Sequence, residues 1–349
     1  MADVSARNPG PTWGRRWPAD TERVPRAIAV AGMCFGILVT SCGGPGGPSD
    51  GMGGGAAAPR STHVGAADHQ LRSRTAQVPV VTSRVEMVDT RPTLTVPAHS
   101  KASPVRRIPV LVVFPVDRRG RLPLVVFLHG LNSSAGAYTA FLDAVAGFGY
   151  VVAAPDSPET TGGTGLADIE DFTVLPGDAR FVITELTAGV PGLPRHLVDP
   201  TEVAVAGHSF GGAGAYGIGY NTCCRDPRIR AVLSFEGALL PYPNGRFVWH
   251  GPPLLMVVGT RDPLIPLPIA RKTLGEMTTP ADLLALPGAD HTGGLWPGDV
   301  GHAELLDVVK LFLAATLGSG ATSRSTAGHT LDRLDRRPGS GLTSTHEGP

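Results

Sequence analysis

Gly207-His208-Ser209-Phe210-Gly211 is the stretch on which the reading of this chain turns. It follows an apolar, β-prone run at 202–206 and opens a run of small residues that continues through Gly212, Ala213 and Gly214. Strand, sharp turn and helix are the context in which a G-x-S-x-G pattern carries chemistry. The serine then stands on a tight, strained turn with its hydroxyl above a sheet, and the glycines let the strand and helix backbones approach. In a chain with 46 glycines the bare pattern says little. The flanking elements give it weight, since without them it is only a glycine-rich helix start.

Outward from the elbow, short apolar runs alternate with helical patterns. Strands are expected at 85–88, 108–114, 124–128, 150–154, 202–206, 231–235, 254–258 and 282–285, and helices at 136–148, 177–188, 211–220, 269–276 and 302–315. Strands alternating with helices imply an α/β fold whose central, mostly parallel sheet of eight strands is covered by helices on both faces. The first two strands follow one another without a helix, which predicts an antiparallel edge. Reactive groups in such a sheet collect in loops at the carboxyl ends of the strands.

A serine hydroxyl needs a base, and the base needs an acid to orient it. Gly259-Thr260-Arg261-Asp262 follows the strand at 254–258, and Gly288-Ala289-Asp290-His291 follows the strand at 282–285. Ser209, Asp262 and His291 are therefore the expected nucleophile, orienting acid and base. Asp262 also reads as a simple cap before Pro263. Glu236 and Asp156, each just past a strand, are rival acids, and His250 and His302 are rival bases with poorer placement. An oxyanion hole needs two backbone N–H donors. Phe210, directly after the serine, is one; Leu131, in the turn His129-Gly130-Leu131-Asn132 after the strand at 124–128, is the other. His129 reads as a turn residue hydrogen-bonded locally.

Leu124 through Gly130, the elbow through Gly212, Gly259 through Asp262, and the stretches 88–92 and 110–115 resemble the α/β-hydrolases near dienelactone hydrolase and platelet-activating-factor acetylhydrolase. Bacterial cutinase-like polyester hydrolases are a close second resemblance. The likeness covers roughly 85–317. It implies the α/β-hydrolase fold, the order Ser209, Asp262, His291, and ester hydrolysis without a cofactor. Dienelactone hydrolases proper carry cysteine where this chain has Ser209, which favours ordinary esters. The connection from 236 to 253 leaves no room for a large cap domain, so an open cleft for short or medium acyl esters, or for an extended ester chain, is expected. Thioester hydrolysis is an alternative, and a non-catalytic binding protein that kept the fold is a reading of another class. Trp296, five residues past His291, reads equally as a wall of the acyl site and as packing for the last loop.

The ends of the chain read differently. Four arginines (Arg15, Arg16, Arg23, Arg26) precede an apolar run at 27–39 that is too short to span a bilayer, which requires about 20 apolar residues. The run ends in Val39-Thr40-Ser41-Cys42, similar to a bacterial lipobox in which Cys42 becomes the lipidated first residue of the mature protein. Residues 1–41 are thus expected to be a lipoprotein signal peptide, 42–77 a linker, 78–317 the catalytic domain and 318–349 a disordered tail. Export, with a lipid anchor on the outer face of a bacterial membrane, follows from that reading; a plain secretory signal is the alternative. A formal net charge of +0 gives no basic footprint for nucleic acid. No metal-ligand spacing, phosphate loop or dinucleotide fingerprint stands out, so neither a metal nor a cofactor is expected. Cys223 and Cys224 are adjacent and are read first as two thiols, with a bridge between neighbours as the alternative.

Overall fold

Nine strands form one sheet in the computed structural model, in the order β1-β2-β4-β3-β5-β6-β7-β8-β9. The strands are β1 (Val80–Asp89), β2 (Arg106–Pro115), β3 (Leu122–Leu128), β4 (Val151–Pro155), β5 (Val198–His208), β6 (Ile229–Phe235), β7 (Leu254–Gly259), β8 (Ala281–Leu286) and β9 (Leu342–Ser344). The helices are α1 (Thr139–Gly147), α2 (Leu175–Ala188), α3 (Phe210–Tyr220), α4 (Leu267–Glu276), α5 (His302–Leu317) and α6 (Ala321–Asp335). The structure describes residues 78–90, 105–117, 120–158, 160–162, 169–318, 321–335 and 341–345. The expected signal peptide, the linker and Cys42 lie outside the described residues.

β4, β3, β5, β6, β7 and β8 run parallel, while β1 and β2 form the expected antiparallel edge. Successive residues of a strand face opposite sides of the sheet. In β3, Leu124, Val126 and Leu128 enter one core, beneath α2, α3 and α4, and Val125 and Phe127 enter the other, beneath α1 and α5. Because both faces are covered, the central strands are continuous apolar runs and not alternating ones. This is the α/β-hydrolase arrangement, and it sends the ends of β5, β7 and β8 to one edge. An ion pair is buried between β2 and α2: Arg106 meets Asp178 at 2.6 Å, with side-chain exposures of 1% and 2%.

Within the expected disordered tail, the described residues 321–335 and 341–345 include a helix and a strand. α6 packs on α5, and β9 pairs antiparallel with β8 through Leu284 opposite Leu342, so the sheet has nine strands instead of eight. Ala327, Leu331 and Leu334 recur at i, i+4 and i+7, a stripe narrow enough to be hidden among Ser, Thr, Arg and Asp. β9 has three residues and displays no period at all. The paired thiols are a second correction: Cys223 and Cys224 are joined in a disulfide in the turn after α3, where the Asn221 side chain accepts the N–H of Cys223.

No helix among the described residues interrupts the connection from β6 to β7. That segment lies back on α3. Tyr242 donates its hydroxyl to the Ala213 carbonyl at 2.9 Å, and Phe247 stacks on Trp249 with ring centres 5.1 Å apart.

Candidate active site

Ser209 is the single residue between β5 and α3, and it is held at φ 54, ψ −113. A residue with a Cβ adopts such a conformation at a cost of about 1–3 kcal/mol, so its neighbours must enforce it. The Ser209 N–H donates to the Phe235 carbonyl at 2.8 Å, and its own carbonyl accepts the N–H of Ala213 at 3.1 Å. Gly211 must be glycine, because a Cβ there would collide with the Leu128 carbonyl of β3.

The structure brings the three expected side chains together. His291 Nε2 lies 2.8 Å from Ser209 Oγ, and His291 Nδ1 lies 2.8 Å from Asp262 Oδ2. A carboxylate only accepts, so the proton sits on Nδ1 and Nε2 is free to accept from the serine. The other oxygen of Asp262 accepts from the N–H groups of Leu264 at 2.7 Å and Ile265 at 3.0 Å. The acid therefore caps its own loop as well as orienting the imidazole. Burial pushes the Asp262 carboxyl up, but the hydrogen bonds from His291, Ile265 and Leu264 outweigh it and hold the group below the ordinary aspartate value. The loops after β7 and β8 are joined to each other: Thr260 donates to the Leu286 carbonyl at 3.0 Å and Arg261 to the Ala289 carbonyl at 2.9 Å. That seam fixes acid and base in one frame.

Phe210 begins α3, where no preceding turn supplies an i−4 carbonyl, so its N–H is available at the positive end of the helix. In the loop after β3, Gly130 donates to Tyr138 Oη, Asn132 to the Thr160 carbonyl and Ser133 to the Gly130 carbonyl. The N–H of Leu131 has no partner among the described residues, which suits a donor kept for a ligand oxygen. His129 donates from Nδ1 to the Gly130 carbonyl at 2.8 Å, holding the turn.

The rival residues make other contacts. Asp156 accepts the N–H of Ala135, His250 lies near Thr278, and His302 donates to the Gly294 carbonyl. Glu236 is fully buried at the end of β6, accepts the N–H of Gly259 and stands 4.0 Å from His208 Nε2. Burial, with the Asp262 carboxylate beside it, pushes its carboxyl well above the usual glutamate range. Sequence reasoning gave His208 and Tyr138 no role. Tyr138 fell inside an expected helix at 136–148, but it closes a short 3-10 turn (Ala135–Tyr138) that precedes α1. Trp296 donates its indole N–H to the Ala137 carbonyl and packs on Tyr138, with ring centres 5.2 Å apart; it supports this loop.

Comparison with known proteins agrees at a coarse level. Residues 78–236, which hold the elbow and the oxyanion loop but not Asp262 or His291, match the family model described as chlorophyllase. The esterase YjfP of Escherichia coli (strain K12) is 32% identical over 135 residues, covering 38% of this chain and 52% of the relative. Chlorophyllase-1, chloroplastic, of Citrus unshiu is 28% identical over 135 residues, 36% of each chain, and its counterpart in Citrus sinensis matches equally. The chain spans about half or less of the length of these curated relatives. Together with the sheet order, these likenesses support a hydrolase-superfamily protein with the α/β-hydrolase fold.

Proposed function

We propose that this chain is a serine carboxylic-ester hydrolase that works through an acyl-enzyme. The observation that carries the reading is the unbroken relay Ser209–His291–Asp262, with both contacts at 2.8 Å and each residue at the carboxyl end of its own strand. Ser209 Oγ attacks the ester carbonyl while His291 Nε2 takes its proton. The N–H groups of Phe210 and Leu131 hold the oxyanion, and Asp262 stabilises the imidazolium. His291 then returns the proton to the departing alcohol, leaving Ser209 acylated. Water then attacks the acyl carbonyl while His291 Nε2 takes its proton, and as the bond to Ser209 Oγ breaks His291 returns that proton to the serine and the carboxylic acid leaves.

Exposed apolar side chains after the reactive strands also support a reading of the substrate. Leu131, Leu264, Ile269 and Val300 are exposed (36%, 65%, 44% and 57%), and all four belong to segments following β3, β7 or β8. Exposed apolar side chains in these segments suit an ester presented on an apolar body, including an extended polyester, and not only small soluble esters. For location, the n-region, the apolar run and Cys42 support export and a lipid tether. Metabolic labelling with a palmitate analogue should mark the wild-type chain and not Cys42→Ala; equal labelling of both would remove the anchor. The function is tested with a panel of p-nitrophenyl esters of rising acyl length, a polyester film, a thioester and an amide. Turnover of an ester by wild type, lost in Ser209→Ala, is expected. Folded wild-type protein inert on the whole panel would favour the binding-protein reading.

A further inference from the structure

Residue 208 lies between Gly207 and Ser209, where it touches neither the relay proton nor the oxyanion donors. Its side chain nevertheless has two specific bonds. Nε2 lies 2.8 Å from the backbone carbonyl of His291, and Nδ1 lies 2.8 Å from Tyr138 Oη. Tyr138 Oη in turn is 3.1 Å from the N–H of Gly130. The donors and acceptors allow one polarity. A carbonyl only accepts, so His208 Nε2 carries the proton. In a neutral ring Nδ1 then has a lone pair, so the Tyr138 hydroxyl donates to it. The phenol oxygen is left to accept from Gly130. The ring is buried at 6% exposure. Burial, the largest influence on it, outweighs the bond to the His291 carbonyl and lowers its pKa to about 4. Packing agrees with the bonding: a Cβ on Gly130 would sit 3.1 Å from both His208 Nδ1 and Tyr138 Oη, and Trp296 meets the His208 ring edge-on at 5.9 Å.

The chain of bonds spans the site from side to side. Gly130 is next to Leu131, whose N–H has no partner among the described residues. The His291 carbonyl belongs to the residue that carries the base. Resting on the hydrolase reading above, we infer that His208, as the neutral Nε2–H tautomer, is a positioning residue that couples the oxyanion loop to the His291 loop through Tyr138. It acts through Leu131 and His291, never on substrate. Its bonds keep the N–H donor and the proton acceptor at a fixed separation around Ser209 Oγ, and the transition state is the point at which that separation counts.

The test is steady-state hydrolysis of p-nitrophenyl butyrate by wild type, His208→Leu, His208→Gln, Tyr138→Phe and the double variant Tyr138→Phe/His208→Leu, with thermal melting to report folding. His208→Leu should lose kcat on the order of 10²-fold, the scale of an approximately 1 Å misplacement, with KM little changed. Gln supplies an N–H for the His291 carbonyl and should restore most of kcat. Tyr138→Phe should also lose kcat, and the double variant should be no worse than the poorer single, because both break one connection. A folded His208→Leu or Tyr138→Phe with wild-type kcat, or losses that multiply, would overturn the coupling. Nitrogen NMR of His208 gives a readout independent of turnover. A neutral ring protonated on Nε2 at pH 7 is expected, and a charged ring or the Nδ1–H tautomer overturns the inference. A wild-type protein that hydrolyses no ester contradicts the hydrolase reading instead, while the NMR result still decides the bridge.

Discussion

Replacing Asp262 with Asn exchanges one carboxylate oxygen for an NH2 group and should disable the relay while leaving its scaffold standing. Oδ1 of the new amide can still accept from the N–H groups of Leu264 and Ile265, which the aspartate holds at 2.7 and 3.0 Å. The NH2 group then points at His291 Nδ1, where the carboxylate accepted at 2.8 Å. A donor facing Nδ1 forces the imidazole into the other tautomer, with its proton on Nε2 and aimed at Ser209 Oγ. That ring cannot take the serine proton. A wrong tautomer in a serine relay costs on the order of 10⁴-fold in kcat, about 5.5 kcal/mol of barrier. Loss of the charge weakens the remaining bonds and should cost roughly 1–3 kcal/mol of stability, so the protein stays folded. The assay is kcat and kcat/KM on a p-nitrophenyl ester, with urea unfolding in parallel. A fall in kcat of less than about tenfold in folded protein would refute the assignment of Asp262 as orienting acid.

Glu236→Gln tests the buried acid. The folded-state pKa of Glu236 is raised, so the folded protein holds a proton that the unfolded chain has lost, and stability falls as pH rises from the ordinary glutamate range toward the folded value. Gln keeps an acceptor for Gly259 and carries no charge; its melting temperature should equal wild type near pH 4 and exceed it at pH 8, and parallel curves at both pH values would contradict this. Asp178→Ala removes the carboxylate that meets the buried Arg106 guanidinium at 2.6 Å and should cost about 3–5 kcal/mol in urea unfolding, with kcat per folded molecule unchanged; a cost below about 1 kcal/mol would show that the pair is not buried in solution. Leu331→Ala, on α6 at 2% exposure, should cost about 2–5 kcal/mol, whereas a disordered tail would register within about 0.5 kcal/mol.

The parts legible in the sequence share one property: their signal is local. The elbow shows itself because strand, strained turn and helix need glycine at fixed offsets from Ser209. Asp262 and His291 were legible because each follows a strong apolar run, and because a parallel sheet sends the ends of such runs to one edge. Leu131 followed from the same logic applied to β3. What stayed hidden depends on distant partners. His208 reads as a variable position in the motif; its bonds to Tyr138 and to the His291 carbonyl join residues 70 and 83 positions away. Glu236 reads as a rival acid, and only its burial beside Asp262 shows that its carboxyl is pushed up and engaged by the N–H of Gly259 instead of by His291. α6 and β9 escaped because a three-residue apolar stripe and a three-residue strand are too short to stand out from Gly, Ser and Arg. They are stable only because α5 and β8 are there to receive them.

The central claim is that Ser209 Oγ is the group that becomes acylated. The most direct measurement is peptide-mapped mass spectrometry of the native protein after treatment with a fluorophosphonate. The account predicts one stoichiometric adduct on the peptide carrying Ser209, formed much more slowly in His291→Ala and absent in Ser209→Ala. An adduct on another residue, or folded wild-type protein left unmodified, would contradict it.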